Sequence, residues 1–187
     1  MEPIVKERIQ QVKKGDQNAY GDIVEIYKNK VYHICYRMLG NAHEAEDMAQ
    51  EAFLRAYMNI HSYDPTKKFS TWLYRIATNV SIDRIRKRKP DYSLDATVPG
   101  TEGMDMYAQL AASDKLPEEE VESLELQRWI QEEMMSLPPK YRSAVVLKYI
   151  EELSLKEISD ILDMPVNTVK TRIHRGREAL RKRLGRT

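Results

Sequence analysis

Apolar residues recur at three- and four-residue intervals through most of this chain, and no sustained two-residue alternation marks a strand, so the pattern predicts a succession of helices. Ile4, Val5, Ile9 and Val12 outline a short one ending near Gly15. A second is expected from about Asn18 to Leu39, with Ile23, Ile26, Tyr27, Val31, Ile34 and Cys35 inward and Gly40 as its stop. Asn41 opens a third, in which Glu44, Glu46 and Asp47 suit the positive end of the helix dipole. After the loop HSYDPTKKF, Ser70 is expected to cap a fourth helix that Pro90 ends. On that helix Leu73, Ile76, Ala77 and Val80 form a core stripe. Arg75, Asn79, Asp83 and Arg86 form a polar stripe about a third of a turn away.

From Asp91 to about Lys115 the periodicity lapses in a stretch that holds Pro99, Gly100 and Gly103. Helical spacing returns after Pro117, through Leu124, Leu126, Trp129, Ile130 and Met134, and Leu137-Pro138-Pro139 closes that helix. Val145, Val146, Leu147 and Ile150 belong to a further one. The last stretch, LSLKEISDILDMPVNTVKTRIHRGREALRKRLGRT at 153–187, predicts two helices around a tight turn. Ile158, Ile161 and Leu162 mark the first, Asp163-Met164-Pro165 breaks it, and Asn167 is expected to cap the second. In the second helix Val169, Ile173, Leu180 and Leu184 share one face, while Thr171, His174, Arg175 and Glu178 lie opposite, with Lys170 and Arg172 on the flanks. This is the pattern of a helix-turn-helix whose second helix lies in the DNA major groove. Ser159 and Asp163 stand where many such units carry alanine and glycine, and Asp tolerates the left-handed turn conformation better than most residues. The fold class expected is all-α: two small helical domains, 1–90 and 119–187, joined by a flexible acidic linker, 91–118.

The formal net charge of +1 conceals a segregation. Residues 60–90 carry eight basic and two acidic side chains, residues 91–125 carry ten acidic against Lys115 alone, and residues 126–187 carry thirteen basic against eight acidic. Two cationic segments separated by an anionic one point to two nucleic-acid contacts joined by something that avoids DNA. The front segment mixes Tyr63, Phe69, Trp72 and Tyr74 with Lys67, Lys68, Arg75, Arg84, Arg86, Lys87, Arg88 and Lys89, and aromatic rings amid positive charge suit single-stranded nucleic acid. Trp72 at the start of an amphipathic helix is expected in the core. No apolar run approaches the roughly 20 residues of a membrane span, and the charged N-terminus lacks a signal-peptide core. Cys35, the only cysteine, excludes an intrachain disulfide and fits a reducing cytoplasm.

Catalytic chemistry finds no support. HEAED at His43 to Asp47 lacks the second histidine of an H-E-x-x-H zinc helix, because Asp47 occupies that place. There is no phosphate-cradling glycine loop, and Cys35 lies on an apolar helix face. No catalytic residue, metal site or cofactor is expected, and the chain is not expected to be an enzyme.

Three stretches carry a resemblance: AEDMAQEAFLRAY at 45–57, FSTWLYRIATNVSIDRIRK at 69–87, and LPPKYRSAVVLKYIEELSLKEISDILDMPVNTVKTRIHRGREALRKRL at 137–184. They resemble the extracytoplasmic-function (ECF) sigma factors of bacterial RNA polymerase over nearly the whole chain, and most of all the sigma-W type of Bacillus and relatives. The resemblance implies a region two at 1–90 that holds the polymerase core and melts the −10 promoter element, and a region four at 119–187 that reads the −35 element. Asp47, Gln50, Glu51 and Arg55 would be the polymerase contacts. The loop around Lys67 to Ser70 and the fourth helix would read the −10 element, through Lys67, Lys68, Phe69, Arg75, Asn79, Arg84 and Arg86. Lys170, Thr171, His174 and Arg175 would make base and groove contacts at −35, with Arg172, Arg177 and Arg181 on phosphates. Lys170 stands where the family often has arginine, so bidentate guanine reading is not expected of it. Implied partners are core RNA polymerase, promoter DNA as duplex and as melted strand, and an anti-sigma factor, commonly membrane-bound, with no small-molecule substrate. The implied location is the cytoplasm, with the anti-sigma factor able to hold the chain at the inner face of the membrane. The rival readings are a stand-alone helix-turn-helix regulator and a helical polymerase-binding adaptor without promoter activity.

Overall fold

In the computed structural model, residues 2–88 and 118–184 are described, and among them every regular element is helical. The first body contains α1 (Glu2–Lys13), α2 (Asn18–Leu39), α3 (Ala42–Met58), a 3₁₀ turn (Ile60–Ser62) and α4 (Phe69–Arg88). The second contains α5 (Glu118–Ser136), α6 (Pro139–Val145), a π-helical turn (Val146–Ile150), α7 (Leu155–Leu162) and α8 (Val166–Leu184). The segment expected as a linker falls outside the described residues except for its last position, Glu118, which opens α5.

Local chemistry sets the helix ends. Asp16 accepts a hydrogen bond from the Asn18 backbone N–H at 3.0 Å and so steadies the start of α2. Gly40, with φ of 71°, ends α2 in the left-handed region and donates its N–H to the Tyr36 carbonyl at 2.8 Å. The Asn41 side chain caps α3 by accepting the Glu44 N–H at 3.0 Å. Two expected caps are displaced. Ser70 lies inside the first turn of α4, which begins at Phe69, and Asn167 lies inside α8. At α8 the Pro165 carbonyl already accepts the N–H groups of Thr168 and Val169, so the helix starts earlier than the asparagine implied.

α4 is the centre of the molecule. Phe69, Leu73, Tyr74, Ala77, Thr78, Val80 and Ser81 are all buried, the polar Thr78 and Ser81 among them. Tyr63, Trp72 and Tyr27 pack their rings around Phe69 at centroid distances of 5.3, 5.5 and 5.7 Å. α2 and α3 cover one side of α4, and α7 of the second body covers another. The buried side chains of α1 to α4 are therefore continuous with Ala144, Leu147, Ile158, Ile161, Val169 and Ile173 in a single apolar cluster. Sequence periodicity gave no sign of this shared core.

A second seam joins the end of α2 to α5 and α6. The buried guanidinium of Arg142 donates to the carbonyls of Met38, Met135 and Leu137, so one cation serves the carbonyl ends of two helices. Arg37 reaches Gln131 at 3.0 Å and Gln127 at 2.7 Å, and Gln131 donates back to the Tyr36 carbonyl. Gly40 lies so close to Met135 that a Cβ there would come within 2.7 Å of its sulfur. Glu151 is buried in the same region, 4.0 Å from Lys30, and burial raises its carboxyl pKa while Lys30 and Arg37 partly offset the rise.

Gly176 of α8 is buried against α6, where an added Cβ would lie 2.5 Å from a γ carbon of Val145. Valine is stiff at χ1 and cannot swing aside cheaply. Gly176→Ala gains helix propensity yet is expected to destabilise the protein by about 1–2 kcal/mol net, because overpacking outweighs that gain. Urea unfolding should show the loss as a lowered midpoint at unchanged slope.

Candidate nucleic-acid interface

Two helices built in different ways carry the cations. α7 and α8 form the helix-turn-helix. Ser154 and Glu157 make a reciprocal capping box at the start of α7: the Glu157 N–H donates to Ser154 Oγ at 3.2 Å, and the Ser154 N–H donates to Glu157 Oε2 at 3.0 Å. Asp163 ends α7 with φ of 54° and ψ of 53°, the left-handed conformation expected of the turn, and Ser159 Oγ donates to the Met164 carbonyl to close it. Val169 and Ile173 seat α8 on the core.

That seating fixes which side of α8 faces outward. Lys170, Thr171, His174, Arg175 and Arg177 are exposed and Arg172 is half-buried, so the residues expected at the −35 element share the open side of the helix. Thr171 Oγ1 donates to the Asn167 carbonyl at 3.0 Å, which fixes its rotamer on the first turns. Arg175 lies beside Tyr141 of α6, Nη1 to Oη 3.5 Å, and the guanidinium holds the Tyr141 hydroxyl below its ordinary pKa. Lys140 sits 4.9 Å over the same ring. Arg183, one residue before the end of α8, pairs with Glu133 at 2.9 Å and ties the helix to α5. The composition signal did not single out Tyr141, because a tyrosine on a neighbouring helix has no periodic relation to the recognition helix.

The front surface differs more from expectation. Lys67, Asn79 and Arg86 are exposed, and Asp83 lies 3.8 Å from Arg86 on the same face. Phe69, expected at the strand-reading surface, is 0% exposed and packs in the aromatic core, so its ring supports the loop instead of meeting a base. Arg84, also expected there, is held by Glu44: its Nη2 and Nε donate to one carboxylate oxygen at 3.0 and 3.2 Å. Arg88 joins the same carboxylate through Nε at 2.9 Å. Glu44 thus pins the C-terminal half of α4 to the start of α3, beyond the dipole role that its position implied. Lys68 pairs with Glu157 at 2.7 Å, and Arg75 pairs with Asp163 at 2.9 Å. Both partners belong to the helix-turn-helix.

On α3, Asp47, Gln50 and Arg55 are exposed, and Glu51, half-buried, accepts from Arg55 Nε at 2.6 Å. Leu54 and Met58 continue this face at helical spacing, and Met58 is 71% exposed. A hydrophobic pair on the outer side of a helix was passed over in the sequence because apolar residues there are ordinarily assigned to the core. No group of three or more metal-ligating side chains occurs among the described residues, and none of their helices is long and apolar enough to cross a membrane.

Residues 23–90 match the family model for Sigma-70 region 2, and residues 127–180 match that for Sigma-70 region 4. The chain is 68% identical over 184 residues to the ECF RNA polymerase sigma factor SigW of Bacillus subtilis strain 168, covering 98% of each protein. It is 35% identical over 175 residues to the ECF RNA polymerase sigma-E factor of Escherichia coli K12, covering 92% of this chain and 90% of that one. Among solved structures, CnrH in complex with the cytosolic domain of CnrY matches with a TM-score of 0.70 at 22% identity, over 97% of each chain. The sigma factor RpoE in complex with the anti-sigma factor NepR from Bartonella quintana matches at 0.68 and 17% identity, over 89% of this chain and 96% of that one. At those identities the structural matches speak for the fold alone. With its two matched regions and a sequence shared from end to end with established members, the chain belongs to the ECF sigma factors of RNA polymerase.

Proposed function

We propose that this chain binds core RNA polymerase through α3, anchors on duplex −35 DNA through α8, and holds the melted −10 strand against α4 and the loop before it. The observation that carries the reading is the near end-to-end identity with an established ECF sigma factor, combined with cations exposed on the helix that its region-four match covers. Lys170, Thr171, His174 and Arg175 stand on the outer side of α8 for base and groove contacts, with Arg172 and Arg177 toward phosphates. Lys67, Lys68, Arg75, Asn79 and Arg86 form the −10 set. Asp47, Gln50, Glu51 and Arg55, now extended by Leu54 and Met58, form the polymerase set. The bodies at 1–90 and 119–187 then act as regions two and four, with 91–118 between them.

Two finer parts of the reading have narrower support. A structural neighbour solved in complex with the anti-sigma factor NepR favours an anti-sigma factor as a partner of this chain too. A cytoplasmic site of action and the lack of any catalytic activity of its own follow from the role itself: the reaction belongs to the polymerase.

Run-off transcription tests the reading. Core polymerase plus this chain should produce transcripts from stress-type promoters that core polymerase alone does not use. A footprint on promoter DNA without polymerase would indicate a stand-alone regulator, and polymerase binding without transcripts an adaptor.

Two variants should separate the surfaces. Arg175→Ala is expected to cost about 1–3 kcal/mol of promoter discrimination. The loss should appear on promoters with a −35 element and be much smaller on those without one; an equal loss on both would contradict the assignment. Leu54→Glu with Met58→Glu is expected to weaken capture of core polymerase at least ten-fold in a pull-down titration, while the thermal midpoint stays within a few degrees, because both side chains are exposed.

A further inference from the structure

The contact between α7 and the front surface carries more than packing. Glu157 Oε2 is fully engaged in its capping box, accepting both the Ser154 N–H and Oγ, while Oε1 is turned to Lys68 at 2.7 Å. Lys68 and the two Ser154 bonds together hold the Glu157 carboxyl down at about 2. Asp163 sits in a left-handed conformation that glycine would adopt without strain, and its carboxylate reaches Arg75 at 2.9 Å. Asp160 lies between them along α7 at three-residue spacing, and it lines the cleft that Lys67 and Arg75 also line. From Glu157 to Asp163 the acids span about 9 Å of helix axis, at the rise of an α-helix. Three acids on one stripe of the helix-turn-helix therefore confront Lys67, Lys68 and Arg75, cations assigned above to the melted strand.

We propose that Glu157 and Asp163 act as internal stand-ins for DNA phosphates, occupying Lys68 and Arg75 while the chain is off promoter DNA. The proposal rests on the reading of α4 and its loop as the strand-binding surface. Its physical logic is competition. A carboxylate satisfies the same ammonium and guanidinium donors that a phosphate would, and exposed ion pairs are individually weak, so an incoming strand carrying several phosphates displaces them readily. Each pair must still be broken before a strand is held, so the free chain binds stray single strands several-fold more weakly than its bare cations would allow. Once its two bodies part on polymerase and duplex, both cations become available together. An Asp at the turn, where glycine would relieve the backbone, has its use in this contact.

The test is direct binding of a fluorescein-labelled, mixed-sequence single-stranded DNA 12-mer to the full chain, without polymerase, by fluorescence anisotropy at low ionic strength. The double variant Asp163→Gly/Glu157→Gln keeps the turn and the capping box, since glycine suits the left-handed position and glutamine serves at the third helical residue. A control chain, Glu7→Gln/Glu132→Gln, has the same net charge with both changes at exposed sites away from the contact. The proposal predicts that the Asp163→Gly/Glu157→Gln chain binds the 12-mer roughly three- to ten-fold more tightly than both the wild type and the control, as expected from losing two weak pairs. Affinity equal to that of the control would overturn it. The measurement involves no promoter and no polymerase, so its failure is separate from a failure of run-off transcription, which would strike the functional reading itself.

Discussion

Burial of α4 between α2 and α3 on one side and α7 on another is the constraint from which the rest of the structure follows. Phe69, Leu73, Ala77 and Val80 fill the interior, Tyr74, Thr78 and Ser81 close the flank, and only Asn79, Asp83, Arg86 and their neighbours remain outside. A helix packed this densely holds its loop rigidly, since interiors at crystal-like density allow little adjustment. The aromatic ring cluster around Phe69 sets where Lys67 and Lys68 emerge, and Glu44 sets where Arg84 and Arg88 lie. A strand-reading surface needs that preorganisation. Melted DNA arrives disordered, and order supplied by the protein lowers the cost of capture.

The same packing binds the two bodies together in the free chain. Ile158 and Ile161 of α7 belong to one apolar cluster with α4, and Arg142 bolts α6 to the end of α2 through the Met38 carbonyl. Apolar burial contributes about 25 cal/mol for each Å² removed from water, whereas exposed ion pairs contribute at most about 1 kcal/mol each. The seam is therefore held mainly by its apolar contacts and by Arg142, and the pairs Lys68–Glu157 and Arg75–Asp163 chiefly decide which charges are available. Under the proposed function, the helix-turn-helix thus rests on the strand surface through α7 while the outer side of α8 stays open. On that same reading, capture of the melted strand requires that this seam yield.

Much of this was legible in the sequence, and the parts that were not share a physical reason. Helices α1 to α4 and the helix-turn-helix announce themselves through apolar spacing, Gly40, the Asn41 cap and the Asp163 turn, because each is a local signal. The exposed side of α8 follows from the same wheel, with Val169 and Ile173 defining its opposite. Phe69 was misplaced because an aromatic residue beside two lysines looks the same from the sequence whether its ring faces a base or the interior. The Ser70 and Asn167 caps failed by one or two positions, where a proline carbonyl or an earlier start took over the orphan N–H groups. Glu44, Tyr141 and the seam through Arg142 act between elements distant along the chain, and no periodicity encodes such pairings. Leu54 and Met58 were hidden by the ordinary presumption that apolar residues face inward.

Hydrogen exchange on the free chain and on its complex with core polymerase and promoter DNA tests most directly the claim that two reading surfaces share one core until polymerase and promoter part them. In the free chain the amides of α7 at 158–162 should exchange with the same protection as those of α4 at 73–80, as members of one cooperative unit. In the complex the two segments should uncouple, with α4 remaining protected while α7 follows the helix-turn-helix. Free-chain exchange of α7 orders of magnitude faster than that of α4, or identical patterns with and without polymerase and promoter, would contradict the account.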